Sequence, residues 1–255
     1  MNVQSIKTHK IQPSSDLLKI IEKYLPELKE RSIIVITSKI VSICEGRVVK
    51  KTEVNKDELI IQEAQYYLPR ASNLYNIMLT ITNNMLIPTA GVDESNGLDQ
   101  YILWPSNAQQ TANRIRSWLV KRYGLKEVGV LITDSKTTPL RLGTTGIALA
   151  HSGFKSINNY IGKKDIYGVK LKMTQANIAD GLAAAAVLVM GEGDEQTPMT
   201  IIEKLPFIRF QDRNPTSKEL KNILINKDSD IYSKIINGVK WKKGGNCSTW
   251  NNKAS

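Results

Sequence analysis

Two stretches of this chain carry hardly a polar side chain: Ile33-Ile34-Val35-Ile36 and Val128-Gly129-Val130-Leu131-Ile132. An apolar run of this length, bounded by Ser and Thr, reads as a buried strand and not as a strand lying on a surface. The first, Ser32 to Thr37, runs into Ser38-Lys39-Ile40-Val41-Ser42, and the second ends at Asp134-Ser135. Helical spacing of Leu17, Ile20, Ile21, Tyr24, Leu25 and Leu28 after Pro13-Ser14-Ser15-Asp16 predicts a first helix, bent or ended by Pro26. Further helices are predicted over 57–68, closed by Pro69, over 108–123, stopped by Gly124, and over 175–190, with Gly191 as its cap. Asn83-Asn84 predicts a hairpin between 77–82 and 85–87. The many glycines of 139–174 suggest short strands and tight turns, and 217–237 one or two short helices. Alanines 183–186 permit close backbone packing of the 175–190 helix. Hairpins and helices without a regular βαβ alternation favour an α+β fold over a doubly wound sheet. A main domain over 1–210 and a C-terminal helical extension with a polar tail over 211–255 are expected.

The chain has 255 residues, 41% of them hydrophobic and 23% charged, which is globular composition. It holds no run of about 18 apolar residues, as a membrane-spanning helix needs, and Lys7, His9 and Lys10 stand where a secretory core would lie. With two cysteines, Cys44 and Cys247, and two histidines, His9 and His151, a disulfide framework, a zinc centre and a Ser-His-Asp triad have few candidate residues. Any metal here is therefore a hard, oxygen-bound one. A cytoplasmic location is expected. The net charge of +11 is spread along a Lys-, Ile- and Asn-rich chain, so it argues for no nucleic-acid partner, although it would help recruit an anionic substrate. The tightest basic cluster, Lys240-Trp241-Lys242-Lys243 before Gly244-Gly245, reads as a solvated tail.

Three acidic sites stand in loop contexts after apolar segments: Asp93, Asp134 beside Ser135, and Glu192 within Gly191-Glu192-Gly193. Oxygen ligands at several element ends suit Mg²⁺ or Mn²⁺ held between protein and phosphates. The glycines around Glu192 let backbone N–H groups approach a phosphate. Taken singly, each acid reads first as a turn or cap residue. No G-x-x-x-x-G-K-[ST], no G-x-G-x-x-G after a strand and no kinase signature occurs, so a nucleotide-using enzyme would need a less common fold.

A set of motifs in order resembles one family, the coenzyme F420-0:L-glutamate ligases, also called γ-glutamyl ligases. They are Ser38-Lys39-Ile40-Val41-Ser42 with Glu45-Gly46-Arg47-Val48-Val49, Gly91-Val92-Asp93-Glu94-Ser95-Asn96, Leu131-Ile132-Thr133-Asp134-Ser135, Gly162 to Gly168, and Leu182 to Met190 running into Gly191-Glu192-Gly193. The resemblance implies a family-specific α+β fold in an intertwined homodimer. It implies an enzyme that uses GTP and Mg²⁺ or Mn²⁺, with K⁺ as a further candidate ion, to join L-glutamate to an acceptor carboxylate through an acyl phosphate. By position, Asp93 and Asp134 correspond to ligands of one metal, Ser135 and Glu192 to ligands of a second. Ser38, Asn96 and the run Met190, Gly191, Glu192, Gly193, Asp194, Glu195, Gln196 and Thr197 correspond to GTP contacts, and Arg141 to a family arginine that steadies a phosphate or carboxylate. Asp93, Asp134 and Arg141 are thus the implied catalytic set.

The chain departs from the family where a lysine is replaced by Ile43, an arginine is missing near Thr138 and an acid is missing near Gly181. The stretch Phe210-Gln211-Asp212-Arg213-Asn214-Pro215-Thr216 looks like a bacterial branch acting on folate. The acceptor is therefore open between F420-0 and folate. A non-catalytic nucleotide-binding homologue and, on net charge alone, a nucleic-acid-binding module are the competing classes.

Overall fold

The computed structural model describes residues 1–246, so Cys247 lies outside the described residues. Strand β1 (Asn2–Ile6) leads to helix α1 (Leu17–Tyr24), β2 (Ser32–Thr37), α2 (Ser38–Cys44), β3 (Val48–Lys50), α3 (Lys56–Glu63) and β4 (Tyr66–Leu68). Next come β5 (Leu79–Thr82), β6 (Met85–Pro88), β7 (Gln100–Ile102), α4 (Ala108–Tyr123), β8 (Val128–Thr137) and β9 (Thr144–Ser152). The chain continues through β10 (Ile157–Asn159), β11 (Gln175–Asn177), α5 (Ile178–Met190), β12 (Met199–Glu203), α6 (Ser217–Lys221), α7 (Ser233–Ile236) and β13 (Lys242–Lys243).

The central sheet has the order β1-β12-β2-β8-β9. Only the β2–β8 pair is parallel, with Ile34 opposite Val130; the pairs β1–β12, β12–β2 and β8–β9 are antiparallel. The two apolar runs are thus adjacent strands, and their alternate residues serve two cores. Ile34, Ile36, Val130 and Ile132 pack on the α1/α4 side, whereas Ile33, Val35 and Leu131 pack on the α5 side with Ala179, Leu182, Ala183 and Ala186. Each such side chain, fully buried, stabilises the fold by about 1.5–3 kcal/mol. A second sheet, β13-β4-β5-β6, packs with α3 around Leu59, Ile60, Met78, Val92 and Leu103. This smaller unit carries the segment that leads to Asp93. The mixture of sheets and helices is α+β.

Local signals account for several boundaries. The Asp16 carboxylate accepts the N–H groups of Leu18 and Lys19 and starts α1. Gly124 closes α4 in a left-handed conformation. Asn83 and Asn84 both take positive φ, 47° and 61°, as the two-residue β5–β6 hairpin requires.

Four readings are corrected. Helix α3 ends at Glu63, because Tyr66 and Leu68 pair with Ile81 and Leu79 to make β4; strand pairing outweighs the helical spacing there. The last long helix starts at Ile178, since residues 175–177 form β11 against β10. The glycine-rich stretch includes one nine-residue strand, β9, laid along β8. Residues 242–243 are not a loose tail: they extend the second sheet beside β4. Gly244 and Gly245 donate their N–H groups to Gln65 and Ile61 at 2.9 Å.

His151 on β9 is buried and lies tilted against Phe154 at a ring separation of 5.3 Å. It lines a cavity of about 320 Å³ with Lys155, Arg209 and Glu219. Burial pushes its imidazole down from an ordinary value of 6.5 to about 4, with Glu219 pulling weakly the other way. The unfolded chain therefore takes up the proton first as pH falls. Stability from this group is intact above about pH 6.5 and is lost progressively toward pH 4, by about 3 kcal/mol at most. Urea unfolding from pH 7 to 4 should show this loss, and His151→Gln should flatten it. An equal pH dependence in both proteins would place the acid sensitivity elsewhere.

Candidate active site

Strand β8 carries Asp134 and Ser135 beyond its buried part, opposite Ile147 and Gly146 of β9. Both residues lie within the strand and not in a loop after it, which corrects the sequence reading. A register shift at Ile132/Thr133 sits just before them, an irregularity of the kind that re-aims side chains. Burial pushes the Asp134 carboxyl up to about 6. The Trp104 indole N–H and the Ser135 backbone N–H donate to it and oppose that rise, while the negative charge of Asp93 adds to it.

Asp93 approaches from the smaller unit. Its Oδ1 accepts the Ser95 N–H at 2.8 Å and its Oδ2 accepts the Ser95 hydroxyl at 2.9 Å. Lys39, in the first turn of α2, places Nζ 2.8 Å from Asp93 Oδ2 and also donates to the Ser95 carbonyl at 3.1 Å. Burial raises the Asp93 carboxyl, but Lys39 and Ser95 outweigh it and hold the group below the usual carboxylate range. The two acids are therefore unlike: Asp93 is neutralised by an ammonium, whereas Asp134 is held close to its negative charge. Neighbouring Glu94 is engaged by Lys56 at 2.9 Å.

The third segment, residues 190–197, follows α5. Gly191 has φ +77°, and a Cβ there would stand 2.4 Å from Glu195 Cδ, so only glycine fits this turn. Glu195 accepts the Gly193 N–H at 2.8 Å, and Thr197 donates to the Met190 carbonyl. The carbonyl of Gln196 accepts the N–H of Thr8 at 2.9 Å, and that of Pro198 accepts the N–H of Thr37 at 3.0 Å. This ties the loop to the end of β2. Glu192 accepts the Ser135 hydroxyl at 2.6 Å and the Thr144 hydroxyl at 3.3 Å. Asn96 donates to the Gly193 carbonyl at 3.0 Å.

These contacts close a ring of residues distant in sequence: Asp93 and Asn96, the 192–193 turn, Ser135, Asp134 and Trp104. Ser38 is buried at the start of α2, next to Lys39, and Asp194 is exposed in the loop. Arg141 is not brought into the ring. It is exposed on the loop between β8 and β9, and among the described residues no hydrogen bond or ion pair joins its side chain to the acids. Ile43 is half-buried on α2, and Thr138 and Gly181 are exposed.

Among the described residues no three His, Cys, Asp or Glu side chains gather into a ready metal cage. The oxygen donors come as pairs, Asp93 with Asp134 and Ser135 with Glu192. A hard cation that keeps some water and takes its remaining ligands from substrate phosphates fits such an open set, and zinc does not.

Sequence comparison identifies the family. A family profile described as F420-0:Gamma-glutamyl ligase matches residues 5–204. The chain belongs to that family. It is, by that membership, a ligase of the kind that forms a C–N bond. Among its relatives, proteins named Coenzyme F420:L-glutamate ligase occur in Methanopyrus kandleri, 33% identical over 77% of this chain and 83% of the relative. In Methanococcus maripaludis the identity is 34% over 85% of this chain and 90% of the relative. In Methanocaldococcus jannaschii it is 34% over 75% and 83%. No helix among the described residues is long and apolar enough to cross a membrane.

Three members of the site carried no signal of their own in the sequence. Lys39 stood inside a quoted motif without a role. Thr144 and Trp104 lie 48 and 30 residues from their partners Glu192 and Asp134, and no local spacing reports such pairs.

Proposed function

We propose that this γ-glutamyl ligase joins the amine of L-glutamate to a carboxylate of coenzyme F420-0, using GTP and a divalent cation. The observation that carries the reading is the convergence of Asp93, Asp134, Ser135, Glu192 and Asn96 from three separate segments onto one site. The names of the relatives support F420-0 as acceptor. Folate has less support: in the segment resembling the folate branch, Gln211 donates its N–H to Gly153 and Arg213 pairs with Glu219 at 2.8 Å, as packing contacts. The basic 240–243 cluster, engaged in the second sheet, offers no reason to prefer nucleic acid.

In this reading the γ-phosphoryl group of GTP passes to the acceptor carboxylate, breaking the bond to the β-phosphate. The glutamate amine then displaces phosphate and gives up a proton as the amide forms. Cations held by Asp93 with Asp134, and by Ser135 with Glu192, would neutralise charge on the phosphates. Asn96 fixes the 192–193 turn, in which the Gly191 N–H caps α5 on the Val187 carbonyl and the Gly193 N–H is held by Glu195, so a phosphate would have to displace Glu195 to reach the Gly193 N–H. Lys39, held by Asp93 at 2.8 Å, is a cation beside the acids that would be available to a phosphate oxygen. A homodimer is part of the proposal. Ile166, Tyr167 and Met173 on the arm between β10 and β11 are more than four-fifths exposed, an apolar surface of the kind a second copy covers.

Incubation with GTP, Mn²⁺, L-glutamate and F420-0 or folate, read by mass spectrometry, tests the reading. A product one glutamyl unit heavier with F420-0, with GDP and phosphate released, is expected. GTP binding without product from either acceptor would favour the non-catalytic homologue.

A further inference from the structure

We propose that Trp104 is a positioning residue for the metal site: its indole N–H engages one oxygen of Asp134 and leaves the other to the cation. This rests on the metal reading above, and it concerns a residue outside every motif that led to that reading.

The geometry is specific to an indole. Trp104 is buried, with 6% of its surface exposed, directly after β7. Its backbone carbonyl accepts Arg47 Nε at 3.1 Å, and Arg47 is itself held by Glu63 of α3 at 2.8 Å. The main chain at Trp104 is therefore held, and the buried ring directs Nε1 at Asp134 Oδ2. Its other flank lies against Gly91, where a Cβ would stand 2.4 Å from both Cε2 and Nε1. Gly91 lies two residues before Asp93. One rigid side chain thus touches both acid-bearing segments, the strand end at Asp134 and the chain entering Asp93.

An indole nitrogen donates and does not accept, and it is no ligand for a hard cation. Bonded to Oδ2, it cannot compete for the metal, and together with the Ser135 N–H it holds the Asp134 carboxylate in one orientation, with Oδ1 the oxygen the indole leaves open. Partners of this kind are worth about 10–100-fold in metal affinity when removed. Phenylalanine would fill most of the volume but donate nothing.

The test is Mn²⁺ affinity, followed by the spin-resonance signal of free Mn²⁺ with GTP present, in the wild-type protein, Trp104→Phe and Asp134→Asn. We expect Trp104→Phe to bind Mn²⁺ 10–100-fold more weakly while melting within a few degrees of wild type. A second measurement needs no substitution at 104. Of the indole N–H resonances from the four tryptophans, one should shift when Mg²⁺ and GTP are added, and that response should vanish in Asp134→Asn. Wild-type Mn²⁺ affinity in Trp104→Phe, with only a lower melting temperature, would make Trp104 a packing residue and overturn the inference while the metal reading stands. A wild-type protein that binds no Mn²⁺, or an Asp134→Asn protein that binds it normally, would remove the metal reading and the inference together.

Discussion

Asp134→Asn should reduce ligase turnover by about 10³-fold or more and, in metal-free buffer at pH 7, make the protein more stable. Asp93→Asn should reduce turnover by a similar factor and make it less stable. The common loss follows from the proposed role of both carboxylates in holding a cation against phosphates, a contribution of several kcal/mol to the transition state. The opposite stability effects follow from their surroundings. The Asp134 carboxyl is pushed up from 3.8 to about 6 by burial. Its folded pKa exceeds its unfolded one, so the folded state pays for ionisation as pH rises through this window and at pH 7 carries the full penalty. Asparagine removes that penalty while keeping an oxygen for Trp104, a gain of about 1–3 kcal/mol. Asp93 is shifted the other way, below the usual range, and faces Lys39 at 2.8 Å. Its neutral replacement leaves the Lys39 ammonium with only the Ser95 oxygens, a loss of up to about 1 kcal/mol for a pair this open to solvent. Thermal melts with chelator and turnover with Mn²⁺ separate the two effects. Two variants shifted in the same direction in stability would mean that the acids share one environment, contrary to the geometry.

What the sequence made legible follows from what is local in it. The runs at 33–36 and 128–132 declared their burial because strands covered on both faces lack an alternating pattern. Their partition into two cores needed the structure, since alternation among residues that are all apolar leaves no mark. Asp16, Asn83-Asn84, Gly124 and Gly191 marked their boundaries because caps and turns depend on one or two residues. Tyr66 to Leu68 were misread because their strand character depends on β5, whose partner residues lie 11 to 15 positions away. The acids were legible as candidates through the motifs beside them. Trp104 was not, because its partner Asp134 lies 30 residues away on a strand of the central sheet.

The alanine run of α5 was legible as a packing device, and Gly146 is the residue that it faces. A Cβ built on Gly146 would stand 2.3 Å from the Ala183 carbonyl oxygen, 2.5 Å from its carbon and 2.8 Å from the Ala184 nitrogen. The obstacle is helix backbone, which cannot rotate away as a side-chain tip can. Even Gly146→Ala must lift α5 off the sheet, disturbing the contacts of Leu182, Ala183 and Ala186 with Ile33, Val35 and Leu131. Overpacking usually costs 1–3 kcal/mol, and a backbone collision belongs at the upper end, so about 3 kcal/mol is expected for alanine and more for valine. For a domain of this size that lowers the melting temperature by about 6–12 °C. Function should suffer as well, because Gly146 pairs directly with Ser135 across the β8–β9 ladder and α5 delivers Glu192 to the Ser135 hydroxyl. Gly181, on the same helix, supplies the control. A Cβ there meets nothing within 4 Å, so Gly181→Ala removes only the helix penalty of glycine and should stabilise by up to about 1 kcal/mol. Melting curves and GTP affinity of the two alanine variants should therefore move apart, and a Gly146→Ala protein as stable as Gly181→Ala would show that α5 does not approach the sheet as closely as 2.3 Å implies.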